Sequence, residues 1–180
     1  YIGTELCKLY SGVSWNNQIV VIDNRFISER VNQIRNWNME FIHGDILDKE
    51  LINKYCKDAD VIHHLAGITE VPRTKSESSE EKDKKIKLVA QEGTQNIIDV
   101  ISDKCKIVFP STHVVYEGID KVKDNISEDE GLKPVLSYSV SKAENEKQLK
   151  KSGKNYVILR LGSVYGYSTD SMRIDIMPNL

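Results

Sequence analysis

A phenol and an ammonium stand four residues apart at Tyr138 and Lys142, in the stretch "SYSVSK". If the stretch is helical, this spacing puts both side chains on one face, one turn apart. A Lys⁺ beside a Tyr favours the phenolate and draws the phenol's pKa down toward working pH, which makes a proton donor and acceptor. The same spacing also arises by chance in a chain with 8 Tyr and 25 Lys and Arg, so the pair alone does not separate catalysis from a solvated helix face. A second spacing concerns a ligand. Gly3 enters a helical pattern, and Asp23 closes the apolar run "QIVVID" twenty residues later. A glycine turn opening a helix, followed about 20 residues on by an acidic strand end, is how a doubly wound fold holds a dinucleotide. Glycine lets the backbone approach the pyrophosphate, and the carboxylate takes the ribose hydroxyls. Taken singly, a glycine at a helix start and an Asp at a strand end also serve as plain structural residues.

The other chemically able residues are weaker candidates. His63 and His64 lie in a strand pattern and read as structural, whereas His113 sits in a loop pattern and is a candidate for catalysis. Cys7, Cys56 and Cys105 are far apart, odd in number and without a Cys-x-x-Cys or a His at metal spacing. No metal site is expected. Cys7 and Cys105 read as small core or near-surface residues, and the cysteine usage fits a reducing compartment, hence a cytoplasmic location. Arg25 either meets a 2′-phosphate or is solvated.

These side chains need elements to hold them. With 180 residues, 39% of them hydrophobic and 29% charged, the chain has the composition of one soluble globular domain. Net charge is −2 and the basic residues are scattered, which argues against nucleic acid as a partner. No apolar run approaches the roughly 18 residues of a membrane span, and no signal-peptide pattern is present, so no membrane partner is expected. The chain opens on Tyr1 rather than Met, and a true N-terminus is expected upstream. Five runs read as buried strands: Gln18 to Asp23, Met39 to His43, Ala59 to Ala66, Lys106 to Ser111 and Tyr156 to Leu161. Helical patterns lie between them. One follows Gly3 with Ile2, Leu6, Leu9 and Val13 as its apolar face; the others run from Asp48 to Cys56, Glu80 to Ser102 and Ser137 to Ser152. The long one carries Ile86, Val89, Ala90, Gly93, Ile97 and Ile101 on one face behind a solvated, charged start. This alternation predicts an α/β fold, a doubly wound parallel sheet covered by helices on both sides. Thr69 to Ser79 and His113 to Leu136 lack a period and read as loops at strand ends, where sites tend to sit.

The order of the motifs "YIG", "VIDN", "IHGDILD", "DVIHHLAG", "EGTQNI", "VFPSTHVVYEG", "YSVSK" and "ILRLGSVYG" resembles the extended short-chain dehydrogenase/reductase family. The likeness is to its nucleotide-sugar epimerase/dehydratase branch, which includes UDP-galactose 4-epimerase, and it runs from Tyr1 to about Asp170. It implies a Rossmann-type fold, NAD rather than NADP as cofactor, a nucleotide-sugar substrate and a homodimer. Gly3, with Ile2 beside it, matches the last glycine of a Gly-x-x-Gly-x-x-Gly cofactor loop. The other two glycines and the first strand are then expected upstream of residue 1. Residues 1–170 become an NAD-binding domain lacking that strand, with 171–180 the start of the substrate-binding part, and residues 1–180 by themselves are expected to bind dinucleotide poorly.

The resemblance also implies roles. Tyr138 is the acid/base for a substrate hydroxyl while hydride moves to or from nicotinamide C4. Lys142 holds the nicotinamide ribose and lowers the Tyr pKa, and Thr112 hydrogen-bonds the reacting oxygen. Asp23 and Asn24 hold the adenosine ribose, Asp45 and Ile46 the adenine, and Leu65, Ala66 and Gly67 pass under the pyrophosphate and ribose. Three positions depart from the family pattern. Ala90 replaces an Asn near the cofactor. Ser163 stands where an Asn contacts substrate, so it is a substrate candidate with an altered hydrogen bond. Val114 replaces an acidic residue used in eliminations, which disfavours dehydratase chemistry. The implied activity is an NAD-dependent epimerase. The alternatives are an NAD(P)-dependent reductase of a non-sugar ketone or hydroxyl substrate, a dinucleotide-binding regulator without turnover, and an inert fragment.

Overall fold

Strand and helix alternate along the chain, as the hydrophobic period requires. The computed structural model describes residues 2–13, 17–69, 77–121 and 123–164. The elements are α1 (Ile2–Ser11), β1 (Val20–Asp23), α2 (Ser28–Asn36), β2 (Glu40–His43), α3 (Lys49–Cys56), β3 (Val61–His63), α4 (Glu80–Val100), β4 (Lys106–Thr112), α5 (Ser137–Lys151) and β5 (Asn155–Leu161). All pairing between the described strands is parallel: β1 with β2, and β3 with β4 with β5. The α/β class and all five strands are therefore found where the period puts them. Uniform strand burial is not found. Only β4 carries several fully buried residues, while β1, β2, β3 and β5 are half-buried or exposed along their lengths. The reason is position: among the described strands only β4 is flanked on both sides.

The chain divides into two compact units. The first comprises residues 1–45 with 163–180. Its core joins Cys7 of α1, Ile34 of α2 and Met39, with Tyr10, Ile19, Val21, Trp37 and Phe41 packed around them. The expected apolar face of α1 is thereby corrected. Ile2 is 38% exposed, Leu9 70% and Val13 44%, whereas Cys7 and Tyr10 turn inward. The helix has two adjoining apolar stripes, and spacing alone does not say which one the sheet covers. Helix α2 has no counterpart in the sequence reading, because "SERVNQIRN" buries only Val31 and Ile34 and is otherwise polar. Asn38 stops it at φ 59°, with the N–H of Met39 returning to the Ile34 carbonyl.

Residues 46–162 form the second unit. Asp48 caps α3 by accepting from Leu51 N at 3.0 Å, and Ser79 caps α4 by accepting from Lys82 N at 3.3 Å. Glu80, Glu81 and Asp83 fill the first turn of α4, where negative charge suits the helix dipole. Ile86, Ile97 and Ile98 of α4 are buried, and Ile101, just past its end, is 3% exposed. Gly93 is needed for close approach: a Cβ there would lie 2.8 Å from Ile46 Cγ2. Inward-facing Ile107, Phe109 and Ser111 of β4 are at most 3% exposed. The buried side of α5 is largely polar, with Ser139, Ser141, Asn145 and Glu146 beside Ala143 and Leu149. A polar face of this kind is stable only if its groups are hydrogen-bonded. Among the described residues, no helix is long and apolar enough to cross a membrane.

The aperiodic segment after β4 opens with a 3-10 turn, His113–Tyr116. It then folds back, with Gly118 N donating to Lys133 O at 2.8 Å and Lys133 N to Val115 O at 2.9 Å. A Cβ on Gly118 would stand 2.6 Å from that Lys133 carbonyl and 2.9 Å from Val135 Cγ2. Backbone cannot yield as a flexible side chain does, so Gly118→Ala should destabilise the chain by about 1–3 kcal/mol. Denaturant unfolding checks this, and an unchanged midpoint would contradict it.

Candidate functional site

Thr112 ends β4 and is 8% exposed. Its Oγ1 accepts from Val114 N at 3.4 Å, capping the 3-10 turn. Tyr138 and Lys142 lie in the first two turns of α5, which packs on β4. Lys142 Nζ donates to the Pro110 carbonyl at 2.8 Å. It also sits 4.4 Å from the centroid of the Phe109 ring and 5.9 Å from that of Tyr138. The structure thus brings the Tyr–Lys pair to the end of the strand that carries Thr112.

The electrostatics correct one expectation. Burial pushes the Tyr138 phenol above its usual range and pulls Lys142 down to about 8. The lysine does not depress the tyrosine here. Its ammonium is committed to the Pro110 carbonyl and the Phe109 face, and desolvation disfavours the charged form of each group.

A buried network centred on Glu146 lies on the same helix. Glu146, fully buried, accepts from Ser111 Oγ at 2.6 Å and from Arg160 Nε and Nη2 at 3.0 and 2.8 Å. Arg160 also donates to Tyr116 Oη and, at 2.7 Å, to the Glu128 carbonyl. Burial would raise the Glu146 pKa, but the hydrogen bonds from Arg160 and Ser111 and the nearby cations leave it lowered. A signal for Glu146 did exist, since it lies four residues before Lys150 on α5 and pairs with it at 3.8 Å.

The histidines differ in surroundings. His64 is 3% exposed and meets Thr94 Oγ1 through Nε2 at 2.8 Å. Thr94 Oγ1 also accepts from Asn145 Nδ2 at 2.9 Å. Burial first, and the charge of Lys142 second, pull His64 down to about 3, so it is neutral at working pH. His113 Nδ1 meets the Leu161 carbonyl at 3.2 Å, which ties the 3-10 turn to β5. Burial lowers the pKa of His63. All three cysteines are free and buried, and burial raises each thiol's pKa, Cys56 to about 11. None has the depressed pKa of a reactive thiol.

The remaining cofactor candidates stand at strand ends and loops. In the first unit, Asp23 ends β1 and its Oδ1 accepts from Arg25 N at 2.8 Å. Asn24 donates through Nδ2 to Asp45 Oδ2 at 3.1 Å, and its carbonyl meets His43 Nε2 at 3.1 Å. Asp23, Asn24 and Asp45 are thus brought together at the carboxyl ends of two parallel strands, where open α/β sheets bind ligands. Phe26, 55% exposed, stacks edge-on against Phe41 and His43 nearby. Ile2 and Gly3 form the start of α1. Ser163, exposed, also falls in this unit. In the second unit, Ile46 is a core residue: it packs on Gly93, and its carbonyl accepts from Asn96 Nδ2 at 3.0 Å. Leu65 is half-buried, whereas Ala66 and Gly67 are exposed just after β3. A Cβ on Gly67 would meet nothing within 4 Å. Tyr165 to Leu180, part of Thr69 to Ser79, and Tyr1 lie outside the described residues.

Comparison with known proteins places this geometry. The chain is 29% identical over 140 residues to CDP-paratose 2-epimerase of Salmonella typhi, covering 71% of this chain and 38% of that protein. It is 29% identical over 141 residues to 3beta-hydroxysteroid-dehydrogenase/decarboxylase isoform 2 of Arabidopsis thaliana, covering 74% and 24%. Its fold is similar to that of UDP-glucuronic acid 4-epimerase from Bacillus cereus, solved in complex with NAD: the TM-score is 0.74 at 26% identity, over 92% of this chain and 55% of that one. The UDP-glucose 4-epimerase of Brucella ovis, also with NAD, gives a TM-score of 0.68 at 26% identity, over 89% and 48%. The chain therefore spans about half the length of these solved relatives and less of the curated ones. The profile of the NAD dependent epimerase/dehydratase family matches residues 1–178, and the chain belongs to that family.

Proposed function

We propose that the protein is an NAD-dependent epimerase of a nucleotide sugar. The observation that carries this reading is the second-unit constellation: Tyr138 and Lys142 share a face of α5, and the Lys142 ammonium reaches the β4 backbone at Pro110, two residues before Thr112. Each unit by itself carries groups that suit a dinucleotide. The Asp23 carboxylate, with Oδ1 already oriented by Arg25 N, offers Oδ2 to ribose hydroxyls. Gly67 leaves open space where a Cβ would stand, and Lys142 supplies an ammonium. Bound NAD would supply a hydride acceptor and return the hydride as NADH.

The chain's own groups then have distinct tasks. Tyr138 takes the proton of a sugar hydroxyl as the carbon is oxidised and gives it back on reduction. Thr112 donates a hydrogen bond to the reacting oxygen. Lys142 holds the nicotinamide ribose and keeps a positive charge near the phenol when cofactor contacts reorganise its ammonium. Asp23, Asn24 and Asp45 take the adenosine end, Leu65 to Gly67 the pyrophosphate and ribose, and Ser163 the substrate. The solved relatives that carry NAD and act on UDP-sugars support the reading.

The likeness to the Arabidopsis steroid dehydrogenase/decarboxylase favours a second reading, oxidation of a non-sugar hydroxyl with the same residues. Incubating the protein with NAD and, separately, UDP-glucose, UDP-glucuronic acid and a 3β-hydroxysteroid decides between them. A new sugar epimer without net NADH supports the first, and stoichiometric NADH with the steroid supports the second. The full-length protein that contains this chain should bind NAD at least about tenfold more tightly than NADP, because the Asp23 carboxylate repels a 2′-phosphate. Tighter NADP binding in parallel titrations would overturn that assignment.

A further inference from the structure

Helix α5 begins at Ser137 with Leu136 in the capping position. A leucine offers no acceptor to the N–H groups left over at a helix start, which is the usual task of Ser, Thr, Asp or Asn there. Glu117 instead holds the residues that lead into the helix. Its Oε1 accepts from Val135 N and Leu136 N, each at 2.7 Å, and from the Ser139 hydroxyl. Ser139 is fully buried and itself lies 3.2 Å from both of those N–H groups, so the carboxylate is the shorter and stronger acceptor.

Two features make this more than a loop contact. Glu117 follows directly on the 3-10 turn that Thr112 caps, and its three partners bracket Tyr138, at positions 135, 136 and 139. One carboxylate therefore joins the segment leaving Thr112 to the segment entering Tyr138. Its charge also suits the site. An anion at a helix start is favoured by the aligned peptide dipoles, and hydrogen bonds to a carboxylate are roughly twice as strong as neutral ones. Burial opposes ionisation, but the bonds from Ser139, Leu136 and Val135 outweigh it and hold the carboxyl below its usual range. Two backbone hydrogen bonds flank Glu117 and hold its backbone, Gly118 N to Lys133 O and Lys133 N to Val115 O.

We propose that Glu117 is a positioning residue for Tyr138: by fixing where α5 begins, it sets where the phenol stands relative to Thr112. The inference rests on the reading of Tyr138 as the proton carrier. The test compares Glu117→Ala, Glu117→Gln and Ser139→Ala in the protein assayed with NAD and the substrate it turns over, together with amide hydrogen exchange at Val135, Leu136 and Tyr138. Glu117→Ala should lower kcat about 10- to 100-fold, as a displacement near 1 Å does. KM and the Kd for NAD should stay within about twofold, and exchange at the three amides should quicken. Glu117→Gln keeps an acceptor oxygen and should recover most of the rate.

The proposal is overturned if the exchange quickens while kcat stays within about twofold, if the loss falls on KM instead, or if Gln fails to recover the rate. If Glu117→Ala does not fold, Ser139→Ala, which removes one of three donors, decides: a severalfold loss of kcat supports the proposal and an unchanged kcat overturns it. Failure of the underlying reading looks different, because Tyr138→Phe would then leave turnover intact. An inactive Tyr138→Phe beside an unimpaired Glu117→Ala sinks the positioning role alone.

Discussion

In the full-length protein, Tyr138→Phe should lower kcat by about 10²–10⁴-fold while leaving the Kd for NAD nearly unchanged. The ring keeps its place in the first turn of α5 and loses only the oxygen that carries the proton. Lys142→Met should behave differently. It removes an ammonium that donates to Pro110 O and lies over Phe109, and that is proposed to move to the nicotinamide ribose, so turnover and NAD affinity should fall together. Thr112→Val should cost less than either, since it removes one hydrogen bond to the reacting oxygen and also the cap on Val114 N. Steady-state kinetics and NAD titration of the three variants separate the roles. A Tyr138→Phe enzyme with unchanged kcat would end the reading of Tyr138 as the proton carrier. The raised phenol pKa bears on the same experiment, because a phenol that must ionise to accept the proton makes wild-type kcat rise with pH toward that pKa. That rise should vanish in Tyr138→Phe.

The largest expected effect on stability lies in the same helix. Glu146→Ala should destabilise the chain by about 3–5 kcal/mol, because it strands the Arg160 guanidinium and the Ser111 hydroxyl without their buried partner. In a chain of this size that corresponds to a fall in Tm of roughly 10 °C. Glu146→Gln keeps the acceptor oxygen and should cost less. Replacing Glu146 and Arg160 together by Leu and Met should restore much of the loss, since two apolar side chains of similar volume need no partner. Thermal unfolding of the four proteins checks this, and a Glu146→Ala midpoint within about 2 °C of wild type would contradict it.

The same pair predicts a pH dependence. The folded Glu146 pKa lies below the ordinary 4.5. Its contribution is therefore fully present above that value and is lost as pH falls through the lower, folded pKa. Glu146→Gln should flatten the acid side of the stability profile accordingly.

Several features of this protein were readable from local sequence because they are encoded locally. Alternating β-branched and helical periods place all five strands, from Val20 to Leu161, and four of the five helices. The spacing of Tyr138 and Lys142 puts them on one helix face, and the position of Asp23 puts it at a strand end. The order of the motifs carries the family, since a family is a conserved order of short local patterns. What escaped the sequence depends on partners distant in the chain or on burial.

Helix α2 is held by Val31 and Ile34 alone, too few apolar residues to make a period. The inward side of α1 was settled by which stripe the core of its unit covers. Glu146 meets Arg160 fourteen residues away, and Glu117 meets Leu136 nineteen away; neither separation has a local signature. The direction of the Tyr138 shift was likewise decided in three dimensions. A lysine one turn away argues for a lowered pKa, but burial desolvates the phenol and the Pro110 carbonyl takes the ammonium, so burial outweighs the neighbouring charge.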